Sequence, residues 1–151
     1  MVNKEVQGEL TGESFSVGRL EELNLPFIYS SVHTNAKTIQ QRPLLVQRFV
    51  AAMAEAVQFV EKNPDKAKAS VGEALKLNDS EALQSSYDAY AKTIVNRRML
   101  VPASQIADAV EVARQTETNI RREPAGIFDN RFAEDLEKSG FLKEIWDGRV
   151  P

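Results

Sequence analysis

The sequence predicts a mainly α-helical fold of five or six helices with one short strand near the N-terminus. Three observations carry this reading. From Pro43 onward apolar residues recur at spacings of three and four, the period of one helix face. Asn, Asp, Ser and Pro residues interrupt that pattern where helix starts are expected. Before it, one β-branched and aromatic run, Phe27-Ile28-Tyr29-Ser30-Ser31-Val32-His33-Thr34, is bounded by Pro26 and Asn35 and reads as the strand. The expected organisation is a partly irregular arm over 1–24, a single helical domain with one strand over 25–147, and a tail over 148–151.

The arm is polar and broken by Gly8, Gly12 and Gly18, and a short helical turn from Gly18 to Leu23 ends at Pro26. The first long helix is expected over 43–62. Pro43 suits a first helical position, and Leu45, Phe49, Met53, Val57 and Val60 form its apolar stripe, with Val46 and Val50 alongside. If Phe49 is central to that stripe, Phe49→Ala costs about 3–5 kcal/mol. Asn63-Pro64-Asp65 restarts the chain as N-cap, N1 and dipole-favoured acid, giving a helix over 64–76 with Ala67, Val71, Ala74 and Leu75. Asn78 to Glu81 fits an Asn variant of the capping box, opening a helix over 80–96 lined by Leu83, Tyr87, Tyr90, Ala91 and Ile94. Pro102-Ala103-Ser104 opens a helix over 104–118 with Ile106, Val110 and Ala113 inside. Asp129 caps a helix over 130–138 that carries Phe132 and Leu136. Ser139-Gly140 ends it, and Phe141, Leu142, Ile145 and Trp146 make a last amphipathic turn or two.

A length of 151 residues suits one domain. The strongly apolar stretches read as shorter than the ~20 residues of a membrane span. The first 18 residues hold no apolar segment of the signal-peptide kind, as in a cytoplasmic chain or one whose leader has been removed. With no cysteine, disulfides, thiolate metal sites and cysteine nucleophiles are excluded, and both oxidising and reducing compartments remain open. A net charge of −3 argues against binding nucleic acid or anionic lipid non-specifically. The pairs Arg97-Arg98 and Arg121-Arg122 read as solvated charges at helix ends.

No complete catalytic constellation is present. His33 is the single histidine, and no G-x-S-x-G accompanies it, so it reads as a structural residue at a strand end. One histidine without cysteine leaves only carboxylates for a metal, at spacings unlike a calcium loop, and neither a phosphate loop nor a dinucleotide turn occurs. No metal and no cofactor is expected. Tyr87 and Tyr90 read as core packing, Glu21-Glu22 and Glu134-Asp135 as surface. The sequon at Asn78-Asp79-Ser80 is better explained by capping.

The order of these segments is itself informative. Pro43–Ala56 (PLLVQRFVAAMAEA) followed by Glu61–Ala67 (EKNPDKA) resembles a recurring stretch of the type II periplasmic binding proteins for nitrate, sulfonate, taurine and thiamine-pyrimidine precursors. Asp79–Ala82 and Tyr87–Tyr90 fit the next helix of that family. Phe128–Phe132 (FDNRF), Leu136, Ser139–Phe141 and Ile145-Trp146 resemble its C-terminal signature. The resemblance spans roughly residues 20–147 and rests on the combination of motifs. It implies the C-terminal part of a two-lobed fold that closes on a solute, reduced here to the return strand near 27–34 and the helices after it. An excised piece and a shortened stand-alone relative both fit. The family's enzymatic branch, which makes a thiamine pyrimidine, would call for a cysteine-rich motif that this chain does not have.

The resemblance implies a non-enzymatic solute-binding component of an ABC-type importer for a small organic or oxyanion solute. Its partners would be a membrane permease and, with the missing lobe, the solute; its place would be periplasmic or extracellular, at the membrane. Tyr29, Ser30 and His33 are the candidate ligand contacts. The alternative is a stand-alone helical interaction or oligomerisation module without solute binding. In either case the isolated chain is expected to form a homo-oligomer through Phe27–Val32, because a lone strand presents an unpaired edge.

Overall fold

The computed structural model describes residues 31–91, 96–117, 119–120 and 123–149. The described residues are mainly helical: α1 (Ala36–Gln41), α2 (Pro43–Lys62), α3 (Pro64–Leu75), α4 (Ser80–Ala89), α5 (Ala103–Thr116), a 3-10 turn (Pro124–Gly126), α6 (Arg131–Lys138) and α7 (Phe141–Ile145). The chain divides into two compact units, Met1–Leu25 with Ala56–Val95 and Pro26–Glu55 with Asn96–Pro151.

No strand occurs among the described residues, which corrects the expected strand over 27–34 as far as they reach; residues 27–30 lie outside them. Ser31 to Thr34 are exposed and without regular structure. A β-branched composition makes a strand only where a second strand pairs with it. Here the segment instead leads into α1, a helix the sequence reading did not anticipate. Asn35 caps it, its Oδ1 accepting from Thr38 N at 2.9 Å and from Thr38 Oγ1 at 3.2 Å. The helix stops at Arg42 (φ −136°, ψ 51°), since the residue before a proline is pushed out of the helical region and Pro43 follows.

In the second unit, the inward row of α2 is Val46, Val50 and Ala54, the last 0% exposed. Leu45, Phe49 and Met53, expected inside, are 46%, 51% and 37% exposed. The buried stripe is thus shifted by one residue, about 100° around a 3.6-residue helix. Gln47 belongs to the inward side, where its Nε2 donates to the Phe132 carbonyl at 3.1 Å. By length and composition α2 is long and apolar enough to cross a membrane, contrary to the reading of its stretch as too short. Arg48 and Glu55 lie within it, however, and a charge of either kind costs about 2–4 kcal/mol at a bilayer centre. Val110 of α5, Ala133 and Leu136 of α6, Leu142 of α7 and the following Trp146 are also buried in this unit. Gly140 (φ 84°) makes the turn that folds α7 back against α6.

In the first unit, α3 and α4 pack on each other. Ala67, Gly72 and Ala82 are buried there, small residues that let the helices approach closely, whereas Val71 and Leu75 of the expected α3 row are exposed. The caps differ in detail from expectation. Asn63 holds the N-cap position of α3 but makes no side-chain cap bond; its Nδ2 donates back to the Phe59 carbonyl at 3.1 Å, closing the end of α2. Asp79, not Asn78, caps α4, with Oδ1 accepting from Glu81 N and Ala82 N at 3.0 Å each. α3 ends in a Schellman turn: Leu77 N–H donates to the Gly72 carbonyl at 2.8 Å and Lys76 N–H to Glu73 at 3.2 Å, with Lys76 left-handed at φ 53°.

Candidate functional site

Of the three candidate ligand contacts, Tyr29 and Ser30 lie outside the described residues. His33 is exposed, and its Nε2 lies 2.9 Å from Ser31 Oγ two residues back. A hydroxyl beside an imidazole is two thirds of a nucleophilic triad, but the structure brings no carboxylate to this pair among its described contacts. Among the described residues no group of three or more His, Cys, Asp or Glu side chains is arranged to hold a metal ion.

The most fully built polar cluster surrounds the FDNRF segment ahead of α6. Asn130 Oδ1 accepts from Val101 N at 2.9 Å while its Nδ2 donates to the Val101 carbonyl at 2.9 Å. The amide side chain thereby satisfies both backbone groups of one residue in the lead-in to α5, as a paired strand would. Beside it, Asp129 Oδ1 accepts from Arg131 N at 3.1 Å and from Arg131 Nε at 2.9 Å, and Oδ2 lies 2.6 Å from Arg131 Nη2. Asp129 thus covers a free N–H at the helix start although Asn130 occupies the N-cap position. The Arg131 hydrogen bonds hold the Asp129 carboxyl below its ordinary range against a smaller opposing effect of burial, and the same pair holds Arg131 more firmly protonated. With Phe132 accepting from Gln47, this five-residue segment ties α6 to α2 and to the start of α5. Its chemistry is that of a structural fastener.

Two arginines read from sequence as solvated charges also have defined partners. Arg97 stands over the Trp146 ring with its guanidinium carbon 4.9 Å from the centroid, and Arg98 reaches Glu137 Oε2 through Nη2 at 2.6 Å and Nε at 3.2 Å. Cation–π contact with a mostly buried Trp is worth about 0.5–2 kcal/mol, the exposed ion pair about 0–1 kcal/mol. Arg121 and Arg122 lie outside the described residues. In the other unit Tyr87 is part-buried, its hydroxyl donating to the Val60 carbonyl at 3.1 Å and its ring facing Lys68 Nζ at 6.0 Å. Tyr87 therefore packs as expected, while Tyr90 is 41% exposed. The signal for Arg97 and Arg98 was the acidic complement in α6 and the aromatic one just after α7, which only the fold brings near.

Comparison with known proteins adds what the geometry does not contain. No curated protein and no solved structure matches the chain. A family model does, over residues 1–67. The match lies in the N-terminal part of the chain, not in the C-terminal helices on which much of the resemblance over 20–147 was read. It takes in the PLLVQRFVAAMAEA helix and the EKNPDKA turn, and stops short of the Tyr87–Tyr90 helix and the FDNRF signature. That model is described as NMT1/THI5 like, and residues 1–67 are what is similar to it.

Proposed function

We propose that this chain serves solute recognition for an ABC-type importer, without catalysing a reaction, and that its solute is a small organic or oxyanion molecule. The supporting observation is the family match over residues 1–67. On this reading the chain works at the periplasmic or extracellular face of a membrane and presents its solute to a permease. Tyr29, Ser30 and His33 are the proposed contacts: phenol, hydroxyl and imidazole all donate hydrogen bonds to oxyanion oxygens. All three fall inside the matched segment. The absence of cysteine sets the chain apart from the thiamine-pyrimidine-forming branch, whose resemblance would call for a cysteine-rich motif.

Isothermal titration of the chain with nitrate, taurine and an aminopyrimidine tests the proposal. Saturable binding of one of them at micromolar concentration, weakened at least tenfold by His33→Ala, is the expected result. No saturable heat from any of the three up to the millimolar range would overturn it. A second reading, a helical interaction module without solute binding, is favoured by one observation: the exposed apolar row of α2 at Leu45, Phe49 and Met53.

A further inference from the structure

We propose that this face of α2 pairs with a second copy of itself, the two helices antiparallel, with Phe49 of each copy seated on Ala52 of the other. Leu45, Phe49 and Ala52 are all exposed and follow one another at spacings of four and three. That is the d-a-d order of a heptad seam, in which each side chain enters a hole on a facing helix. The inward row Val46, Val50 and Ala54 packs within the unit, and the seam is the adjoining face, with half-buried Val46 at the boundary between the two.

The flanking residues select the occupant and its direction. Arg48 precedes Phe49 by one and Glu55 follows Ala52 by three, so both fall at g positions, and both are exposed. In an antiparallel pair g faces g. Setting Phe49 against Ala52 then brings Arg48 of each copy beside Glu55 of the other, two attractive pairs related by one twofold axis. On the opposite flank the same register sets Val46 against Met53. Size complements charge, since a large ring faces a methyl group in both central layers. A parallel pair in register would stack Phe49 on Phe49 and Ala52 on Ala52, a clash beside a gap, and would face Arg48 with Met53. A partner of a different kind has no need of this internal match of charge and size; a second copy does. The proposal rests on α2 alone and stands or falls independently of solute binding.

Sedimentation equilibrium of the whole chain provides the first test. The weight-average mass should rise from 16.9 kDa toward twice that value with concentration. The contact is small, so the rise is expected over roughly the micromolar-to-millimolar range. Arg48→Glu and Glu55→Arg should each weaken association about 3- to 10-fold by creating two like-charge pairs, and the double exchange should restore it. Both positions are exposed, and helical circular dichroism serves to confirm that the variants fold.

Because the chain has no cysteine, Phe49→Cys and Ala52→Cys each introduce a single thiol. Mild oxidation of the mixed variants should yield mainly the 49–52 heterodisulfide. A mass that stays at one chain through the millimolar range, a double exchange that fails to restore association, or preferential 52–52 linkage would each overturn the proposal.

Discussion

The packing of α3 on α4 at a glycine offers a discriminating stability test. Gly72 is buried where α3 meets α4. A Cβ placed on it would lie 3.0 Å from the Leu77 carbonyl oxygen and 3.1 Å from Leu83 Cδ1. Leu83 can rotate away. The Leu77 carbonyl cannot move so freely, because Leu77 N–H donates to the carbonyl of Gly72 itself at 2.8 Å and Lys76 N–H holds Glu73 at 3.2 Å. Replacing Gly by Ala inside a helix gains about 1 kcal/mol of propensity, and overpacking against a fixed group costs about 1–3 kcal/mol. The crowding outweighs the propensity, and Gly72→Ala should lose about 1 kcal/mol net. Gly72→Val gains less propensity and adds two methyl groups, so its loss should exceed about 2 kcal/mol. Urea denaturation reads both as shifts of midpoint with the slope unchanged. An alanine variant as stable as the parent, or more so, would show that the Schellman turn yields and that the helices do not need glycine here.

Asn130→Ala should cost about 1–3 kcal/mol by leaving both Val101 backbone groups without their partner, and Asn130→Asp should also destabilise because a carboxylate cannot donate to the Val101 carbonyl; equal stability of either variant by urea melts would remove the clamp from the account. Lys76→Gly should raise stability by about 0.5–1 kcal/mol, since Lys76 sits at φ 53° where glycine carries no steric penalty, and a fall in the melting temperature would refute this. Leu142→Ala, at a side chain 0% exposed, should cost about 2–5 kcal/mol. Phe49→Ala, at one 51% exposed, should cost about 1–2 kcal/mol in dilute solution, below the 3–5 kcal/mol expected from spacing, and the reverse order would restore Phe49 to the core. The Asp129 carboxyl is held below its ordinary range, so its contribution is present above the unfolded value near ~4 and is lost as pH falls through the lower folded value. Asp129→Asn should therefore flatten the loss of stability below about pH 4, and an unchanged acid limb would place the pH dependence elsewhere.

Much of the helical architecture was legible because its signals are local. Pro43 and Pro64 mark helix starts through their own ring geometry, and the expected spans 43–62, 64–76, 104–118 and 130–138 lie within a residue or two of α2, α3, α5 and α6. The described part of the expected 80–96 helix reaches Ala89, with Tyr90 N–H still bonded to the carbonyls of Ser86 and Tyr87. What failed depended on partners elsewhere. The run ending in Val32-His33-Thr34 has strand composition, but composition supplies no neighbouring strand, and Asn35 serves as the cap of α1 rather than the end of a ladder. Asn130 was visible only as part of a signature, since its partner at Val101 is 29 residues away. Of the candidate site, His33 is seen exposed with Ser31 as neighbour; Tyr29 and Ser30 lie outside the described residues.

The one-residue error in α2 is instructive because both rows of that helix are apolar. Periodicity identifies apolar positions, but Leu45, Phe49 and Met53 satisfy a four-residue spacing as well as Val46, Val50 and Ala54 do. Spacing alone does not choose between the two rows, and packing selected the second. On the inward side Gln47, next to Val46, reaches the Phe132 carbonyl of α6. Ala54 is fully covered, and a longer side chain there would have to displace its neighbours. The bulkier row is then left outward, and its Arg48 and Glu55 flanks become meaningful only once that orientation is known. The helix family, its ends and its period are properties of the segment itself. Which of two apolar faces turns inward belongs to the helix it packs against, and so does the face left for a partner.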